Sequence, residues 1–376
     1  MIDLNAGDKR RDIDRLLKRN KATQEVQDLI NRLMDDRAAM KLDLHNVEQA
    51  RAMDPRKVRS AIFGLAEQTP EQPDWLLREG TKGKNGPGIP TLFASDWHWG
   101  EVVNGSEINN VNSYNLKTAH ARARLLVERT IDLCFNHMVS PQYAGIVFAL
   151  GGDMVSGDIH EELAETNELP SLPTVLDLSG VLIRMVDELA CKFGKVFVPC
   201  VVGNHGRQSR KPRAKFRAHT NYDWLTYQIV ERHFKGDKRV TFHIPDGPDA
   251  SYNIFSHRFL LSHGDQFRGG DGQVGALGPI LRGDLRKRTR QGQIDLGYDT
   301  MLIGHWHQYI HMGRVIVNGS LKGYDEYASV SNFGFEVAQQ ALFFNHPKHG
   351  ITFACPVLVQ DHPYKKASRE WVSIPR

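Results

Sequence analysis

The sequence predicts a mixed α/β (α+β) protein with a helical N-terminal extension, and three observations predict it. Short apolar runs bounded by Gly and polar residues recur from residue 91 onward, with the length and punctuation of core strands. Between the early runs lie helical patterns over residues 117–138 and 173–193, so strands and helices alternate. Five of the runs are followed within four residues by His, Asp or Asn, which places polar chemistry at strand tips.

Taken in order, residues 1–80 read as the helical extension. Val26, Leu29, Ile30, Leu33 and Met34 recur at helical spacing after Thr23, a suitable N-cap. A second helical stretch spans 58–66. Such helices suit packing on the rest of the chain or on a partner. A DNA-binding helix-turn-helix finds support in Lys18, Arg19, Lys21, Arg56, Lys57 and Arg59, but interleaved acids oppose it. Residues 81–90 are dense in Gly, Asn and Pro and form a linker. A catalytic domain is expected over 91–330, and closing strands or a cap over 331–376.

Within that domain the run 91–95 leads into Asp96-Trp97-His98, followed by an Asn-rich loop and the first helix. The run 145–149 leads into Gly151-Gly152-Asp153, then an acidic loop and the second helix. The run 195–202 leads into Gly203-Asn204-His205-Gly206. From there the pattern turns β-rich, with runs at 240–244, 252–255, 258–262, 299–303 and 315–317. Two of these end in chemistry: His263-Gly264-Asp265 and Gly304-His305-Trp306-His307. At i and i+2 of a strand, His305 and His307 would face one side, with Trp306 turned away into packing.

The ordered set D-x-H, G-D, G-N-H, H-G-D and G-H-x-H resembles the calcineurin-like metallophosphoesterase superfamily across residues 95–307, and is similar to its SbcD-like DNA exonuclease branch. Each string alone is common; all five in order after strand-like runs are specific. The resemblance implies a two-sheet sandwich flanked by helices and a two-metal site. By resemblance Asp96, His98, Asp153 and His307 hold one metal, and Asp153, Asn204, His263 and His305 hold the other, with Asp153 shared. Hard oxygen and imidazole ligands suit divalent ions, Mn first, with Fe, Zn, Mg and Ni also compatible. A hydroxide bridging the metals would attack phosphorus in line. His205, by the same resemblance, carries no metal and serves as the proton donor or charge stabiliser at the leaving group. Many relatives carry Asp or Glu after this histidine, whereas this chain has Gly206 and Arg207, so Asp158 or Asp265 would have to supply the partner carboxylate.

Composition bounds the substrate. The 376 residues are 40% hydrophobic and 24% charged, with a net charge of +4, as in a globular chain, and no apolar stretch suits a membrane span. With no apolar leader at the N-terminus, a cytoplasmic protein without membrane partners is expected. Cys134, Cys191, Cys200 and Cys355 are far apart in apolar segments, which favours buried free thiols. Directly after G-N-H-G come Arg207, Arg210, Lys211, Arg213, Lys215 and Arg217 with no acid among them. A second cluster holds Arg282, Arg286, Lys287, Arg288 and Arg290. Placed on loops beside a phosphate-cleaving site, both would attract a polyanion. Arg207, Arg210, Lys211 and Arg213 are therefore the candidate substrate-binding residues. Trp97, Trp99, Trp306, Tyr309 and Phe267 are candidates for base stacking or for core packing.

The leading expectation is thus a metal-dependent DNA nuclease or phosphodiesterase. A phosphatase or phosphodiesterase for a small substrate such as a nucleotide is the alternative, and a non-catalytic nucleic-acid-binding protein is the third reading. An ATPase partner follows by analogy with the nuclease branch, and a homo-oligomer is equally open, since no residue demands either.

Overall fold

Strand β1 (Ile89–Ala94) is apolar at almost every position because both of its faces are covered. In the computed structural model, which describes residues 88–268, 275, 277–364 and 372, it lies inside a six-stranded sheet. On one side β2 (Ile146–Leu150), β3 (Val196–Pro199) and β4 (Val240–His243) follow in that order, all parallel; β10 (Gln339–His346) runs antiparallel on its other side, with β11 (Gly350–Leu358) at the edge. The helices expected over residues 1–80, and most of the 81–90 linker, lie outside the described residues. Ile89 and Pro90 already belong to β1, so the strand reaches back into the segment expected to be linker.

A second, five-stranded sheet has the order β5 (Asp249–Ile254), β6 (His257–Ser262), β7 (Thr300–Ile303), β9 (Val315–Val317), β8 (Ile310–His311). β6, β7 and β9 are parallel. The sheets share one core: Phe93, Val147, Ala149 and Phe197 from the first meet Tyr252, Phe259, Leu261, Leu302 and Ile316 from the second, with Phe343 among them. Alternation does the rest, since Leu260, Met301 and Ile303 point to the opposite face and pack with Ile280 and Phe267. Truncating one of these large apolar side chains to Ala would cost ~2–5 kcal/mol.

Helices α1 (Leu116–Asn136), before β2, and α3 (Ser171–Phe193), which follows β2 and the short α2 (Glu161–Thr166), pack on the first sheet. Asn115 caps α1 by accepting from Thr118 N at 2.9 Å. Two longer helices escaped the sequence reading, α4 (Tyr222–His233) and α5 (Leu277–Gly292), as did short ones such as α2, which lies in the segment read as an acidic loop. The second basic cluster therefore sits on helix α5 and not on a loop. The polar motifs follow the carboxyl ends of the parallel strands β1, β2, β3, β6 and β7, and there they meet.

All four cysteines are free, as expected, but burial was overcalled: Cys134 and Cys200 are buried, Cys355 is partly so, and Cys191 is exposed on α3. No described helix is long and apolar enough to cross a membrane.

Candidate metal centre

Five loops, each leaving the carboxyl end of a parallel strand, deliver the donor atoms. Asp96 and His98 follow β1, Asp153 follows β2, Asn204 and His205 follow β3, His263 follows β6, and His305 and His307 follow β7. Three groups each bring their ligand atoms within 4.8 Å of one another: Asp96, His98 and His307; Asp153, His263 and His305; and His98, Asp153 and His205. Asp153 and His98 each belong to two groups, so the clusters are contiguous.

The finer geometry suits cations. His98 Nε2 and His307 Nε2 face each other at 3.1 Å, and His307 Nε2 lies 3.4 Å from Asp96 Oδ1. His263 Nε2 sits 2.9 Å from Asp153 Oδ2 and 3.2 Å from Asn204 Oδ1. Imidazole nitrogens and carboxylate oxygens at such separations, on residues that are buried or half-buried, are a donor set that a divalent ion would join. The His263 ring is oriented for this, because its Nδ1–H reaches the Gly151 carbonyl at 2.8 Å and leaves Nε2 for the centre.

Charge follows the same geometry. Burial opposes ionisation of Asp153, but His263 and His205 beside it hold its carboxyl well below the usual range. Burial likewise works against a protonated His263, yet Asp153 outweighs it and pushes the ring up to about 10. A metal taking these donors displaces that proton. His305 moves the other way, to about 4, through burial first and repulsion from His263 second.

The backbone at the ligands is unusual. Asp96 (φ 57°), His98 (φ 47°), Asp153 (φ 50°), His305 (φ 70°) and His307 (φ 54°) all occupy the left-handed region. His305 and His307 therefore converge through a bent loop, not through the shared face of a strand as their spacing suggested. The motif glycines explain how the loops come so close: a Cβ on Gly152 would lie 2.3 Å from Gly203 N, and one on Gly203 would lie 2.0 Å from Asp153 Oδ1. Only Gly fits between Asp153 and the Asn204 loop.

His205 belongs to the cluster, but neither carboxylate expected to orient it does so. Asp158 is exposed, and Asp265 Oδ1 accepts from Arg217 at 2.7 Å. The partner of the ring is the Ser156 carbonyl, 3.1 Å from Nδ1. A carbonyl only accepts, so Nδ1 carries the proton and the neutral ring keeps its lone pair on Nε2. Burial, more than the opposing attraction of Asp153, brings this histidine down to about 3. In this arrangement the ring is an acceptor.

Several residues behind the ligands carried no readable signal. Asp223 on α4 is fully buried, and its carboxylate accepts four backbone N–H groups: Asp153 (3.0 Å) and Gly203 (2.9 Å) on Oδ2, Met154 (3.1 Å) and Val155 (3.2 Å) on Oδ1. Burial first and the Asp153 charge second push this carboxyl up to about 7, against those donors. Asn221-Tyr222-Asp223 has the form of a helix start, which is all the sequence offered there. On the other side, Ser95 Oγ donates to Asp96 Oδ2 at 2.5 Å, and Asn318 Nδ2 donates to that Ser95 Oγ at 3.0 Å. Gln340 Oε1 accepts from Ser95 N at 2.8 Å.

The substrate-binding candidates fall into two kinds. Arg207 is committed to the fold, since its guanidinium donates to the carbonyls of Asn204 (2.7 Å), Ser209 (2.9 Å) and Arg210 (2.9 Å). Arg210, Lys211 and Arg213 are exposed on the loop that follows; Arg210 pairs with Glu161 at 2.6 Å with both side chains 74% exposed. Such a pair is worth ~0–1 kcal/mol and yields readily to another anion. Arg213 and Arg217 line a cleft with Asn204 and Asp265.

The second basic cluster is largely spent on structure: Lys287 and Arg290 pair with Asp249, and Arg288 with Asp284. The stacking candidates Trp97 and Trp99 are fully buried, their indole N–H groups donating to Gln340 Oε1 (3.2 Å) and Asp177 Oδ2 (2.8 Å), and Phe267 is buried as well. Those three are core. Trp306 packs against the outer core of the second sheet, and Tyr309 against the core between the sheets; both stay partly open.

No family model matches the chain, and no curated protein matches it. Among solved structures, it is similar to a single mutant of Vps29 from Entamoeba histolytica, at 12% identity over 71% of this chain and 99% of that one, TM-score 0.30. It is also similar to a conserved uncharacterised protein of Streptococcus pneumoniae TIGR4 described as a predicted phosphoesterase, at 10% identity over 71% and 96%, TM-score 0.24. A putative 5'-nucleotidase from Staphylococcus aureus, in complex with alpha-ketoglutarate, aligns at 13% identity over 75% and 56%, TM-score 0.35. At these identities and TM-scores the likeness says nothing of activity, and the functional reading rests on the donor atoms themselves.

Proposed function

We propose that this chain is a metal-dependent phosphoesterase whose substrate is a phosphodiester, DNA first among them. The observation that carries the reading is the convergence of Asp96, His98, Asp153, Asn204, His263, His305 and His307 from both sheets onto one contiguous donor cluster at the strand tips. Asp96, His98, Asp153 and His307 would hold one ion; Asp153, Asn204, His263 and His305 would hold the other. Bound there, divalent ions supply Lewis-acid charge to the phosphate and lower the pKa of water.

The chain's own residues supply the rest. Asp153 belongs to two of the donor groups, with His98 and His205 and with His263 and His305, and would serve both ions; its carboxyl is held well below the usual range by His263 and His205 against burial. The left-handed backbone fixes the ligands before substrate arrives, so little rearrangement is needed on binding. His205 borders the donors; with Nδ1–H held by the Ser156 carbonyl its Nε2 is an acceptor, and it would have to take up a proton, against the burial that opposes one, before it could serve a leaving oxygen as the expected proton donor. Arg210, Lys211 and Arg213, exposed beside Asn204 and His205, would track flanking phosphates of a polymer.

The test uses the purified chain with Mn²⁺ and three substrates: linear DNA, a chromogenic phosphodiester and a chromogenic phosphomonoester. Degraded DNA supports the nuclease; hydrolysis of small esters alone supports the nucleotide-scale alternative; binding of DNA without hydrolysis supports a binding protein. Replacing Arg210, Lys211 and Arg213 together by Ala should flatten the salt dependence of DNA affinity by about three counterions' worth and spare small-ester hydrolysis. Equal loss on both would mean the loop serves folding and not substrate.

A further inference from the structure

Glu101 lies three residues beyond His98 and is only 5% exposed. Its Oε2 sits 3.3 Å from His98 Nδ1, on the side of the ring away from the donor cluster; the two approach within ion-pair range, and neither atom makes a hydrogen bond to anything else or, in this arrangement, an aligned one to the other. Its other oxygen accepts from Lys322 Nζ at 2.8 Å, and Lys322 in turn reaches Asp325 Oδ2 at 2.5 Å. Lys322 and Asp325 are 3% and 5% exposed, so three charges are buried in a row. The Lys322 segment is itself pinned to the ligand loop, with Ser320 Oγ donating to the Asp96 carbonyl at 2.8 Å.

Buried ion pairs seldom stabilise a fold more than apolar side chains of the same size would. Their position here does have a chemical use. A carboxylate on Nδ1 keeps the proton on that nitrogen, turns the lone pair of Nε2 to the centre and makes it a better donor.

We propose that Glu101, neutralised by Lys322, is the positioning residue for His98, and that it sets the affinity of the ion held by Asp96, His98 and His307 without touching the one held by Asn204, His263 and His305. This rests on the metal-centre reading above.

The experiment titrates the metal-free full chain with Mn²⁺ by calorimetry and locates the ions by anomalous diffraction at limiting metal. Glu101→Gln removes one of two carboxylates facing Lys322, leaving a balanced Lys322–Asp325 pair, so it should remain folded. It is expected to weaken one of two Mn²⁺ equivalents by about 10- to 100-fold. The lost occupancy should be at Asp96, His98 and His307. Glu101→Asp, which keeps the charge but withdraws it by one methylene, should reproduce the selective loss and covers the case in which Gln fails to fold. Asp325→Asn leaves Glu101 in place and should bind both equivalents as the unaltered chain does.

Unchanged binding in both Glu101 variants, equal weakening of both ions, or an Asp325→Asn defect as large as that of Glu101→Gln would each overturn the assignment. If the unaltered chain takes up no Mn²⁺, the proposed function falls and this inference with it. If it binds two ions and both Glu101 variants bind them as tightly, only the role of Glu101 falls.

Discussion

Asp223→Asn is the substitution that most directly tests how the candidate centre is built. The carboxylate holds four backbone N–H groups, two from the Asp153 loop on one oxygen and one each from the Asp153 and Asn204 loops on the other. An amide has one oxygen, so whichever way it turns two of those donors face an NH₂. Leaving a buried donor unsatisfied costs ~1–3 kcal/mol, so two give a penalty of ~2–6 kcal/mol. Repulsion from the Asp153 charge, which Asn removes, offsets part of this and favours the lower half of that range. The loss comes from a total stability of the usual ~5–15 kcal/mol, so the variant should fold but melt markedly earlier. Urea unfolding with and without Mn²⁺ reads both consequences: lower stability, and weaker metal binding because Asp153 and Asn204 lose their common anchor. A stability change under ~1 kcal/mol with unaltered Mn²⁺ affinity would refute the view that Asp223 ties the two loops together.

Gly206→Ala should destabilise by ~1–3 kcal/mol, the usual range for overpacking, because its Cβ would stand 2.4 Å from Asn221 Oδ1; thermal unfolding checks it. Asp153→Asn should abolish phosphoester hydrolysis and leave fewer than two Mn²⁺ bound per chain, measured by metal analysis after gel filtration. Adding Mn²⁺ at 100 times its dissociation constant should stabilise the chain by ~2.7 kcal/mol per site, read as a rise in melting temperature that chelator reverses.

The strands and the residues that cluster at their tips were legible because both are written locally. An apolar run followed by Asp-Trp-His or Gly-Asn-His states a strand and its tip in eight residues. What was not legible depends on contacts far apart in sequence. Asp223 stands 70 residues from Asp153, and Lys322 stands 221 from Glu101; nothing near either announces a partner. Helix α5 was read as a charged loop because Lys287, Arg288 and Arg290 break its polar face into a run, while the acids that neutralise them sit partly on β5. Trp97 and Trp99 flank a ligand histidine, and proximity in sequence suggested stacking on substrate. On a strand tip with both faces covered, such neighbours turn into the core instead.

The left-handed conformations of Asp96, His98, Asp153, His305 and His307 cost ~1–3 kcal/mol each and must be held by something other than local preference. The bonds that hold them are visible and come from protein: Asp153 N to Asp223, His305 N to Asp96 Oδ1 at 2.9 Å, and His98 N to the Asp153 carbonyl at 3.0 Å. Two carboxylates of the cluster, Asp96 and Asp153, thus serve backbone N–H groups of neighbouring motif residues, since Asp153 Oδ1 also accepts from His205 N at 2.7 Å. Donors knitted this way are held together by protein bonds alone, so the strain is borne by the fold, and any ion that entered would meet them already in place.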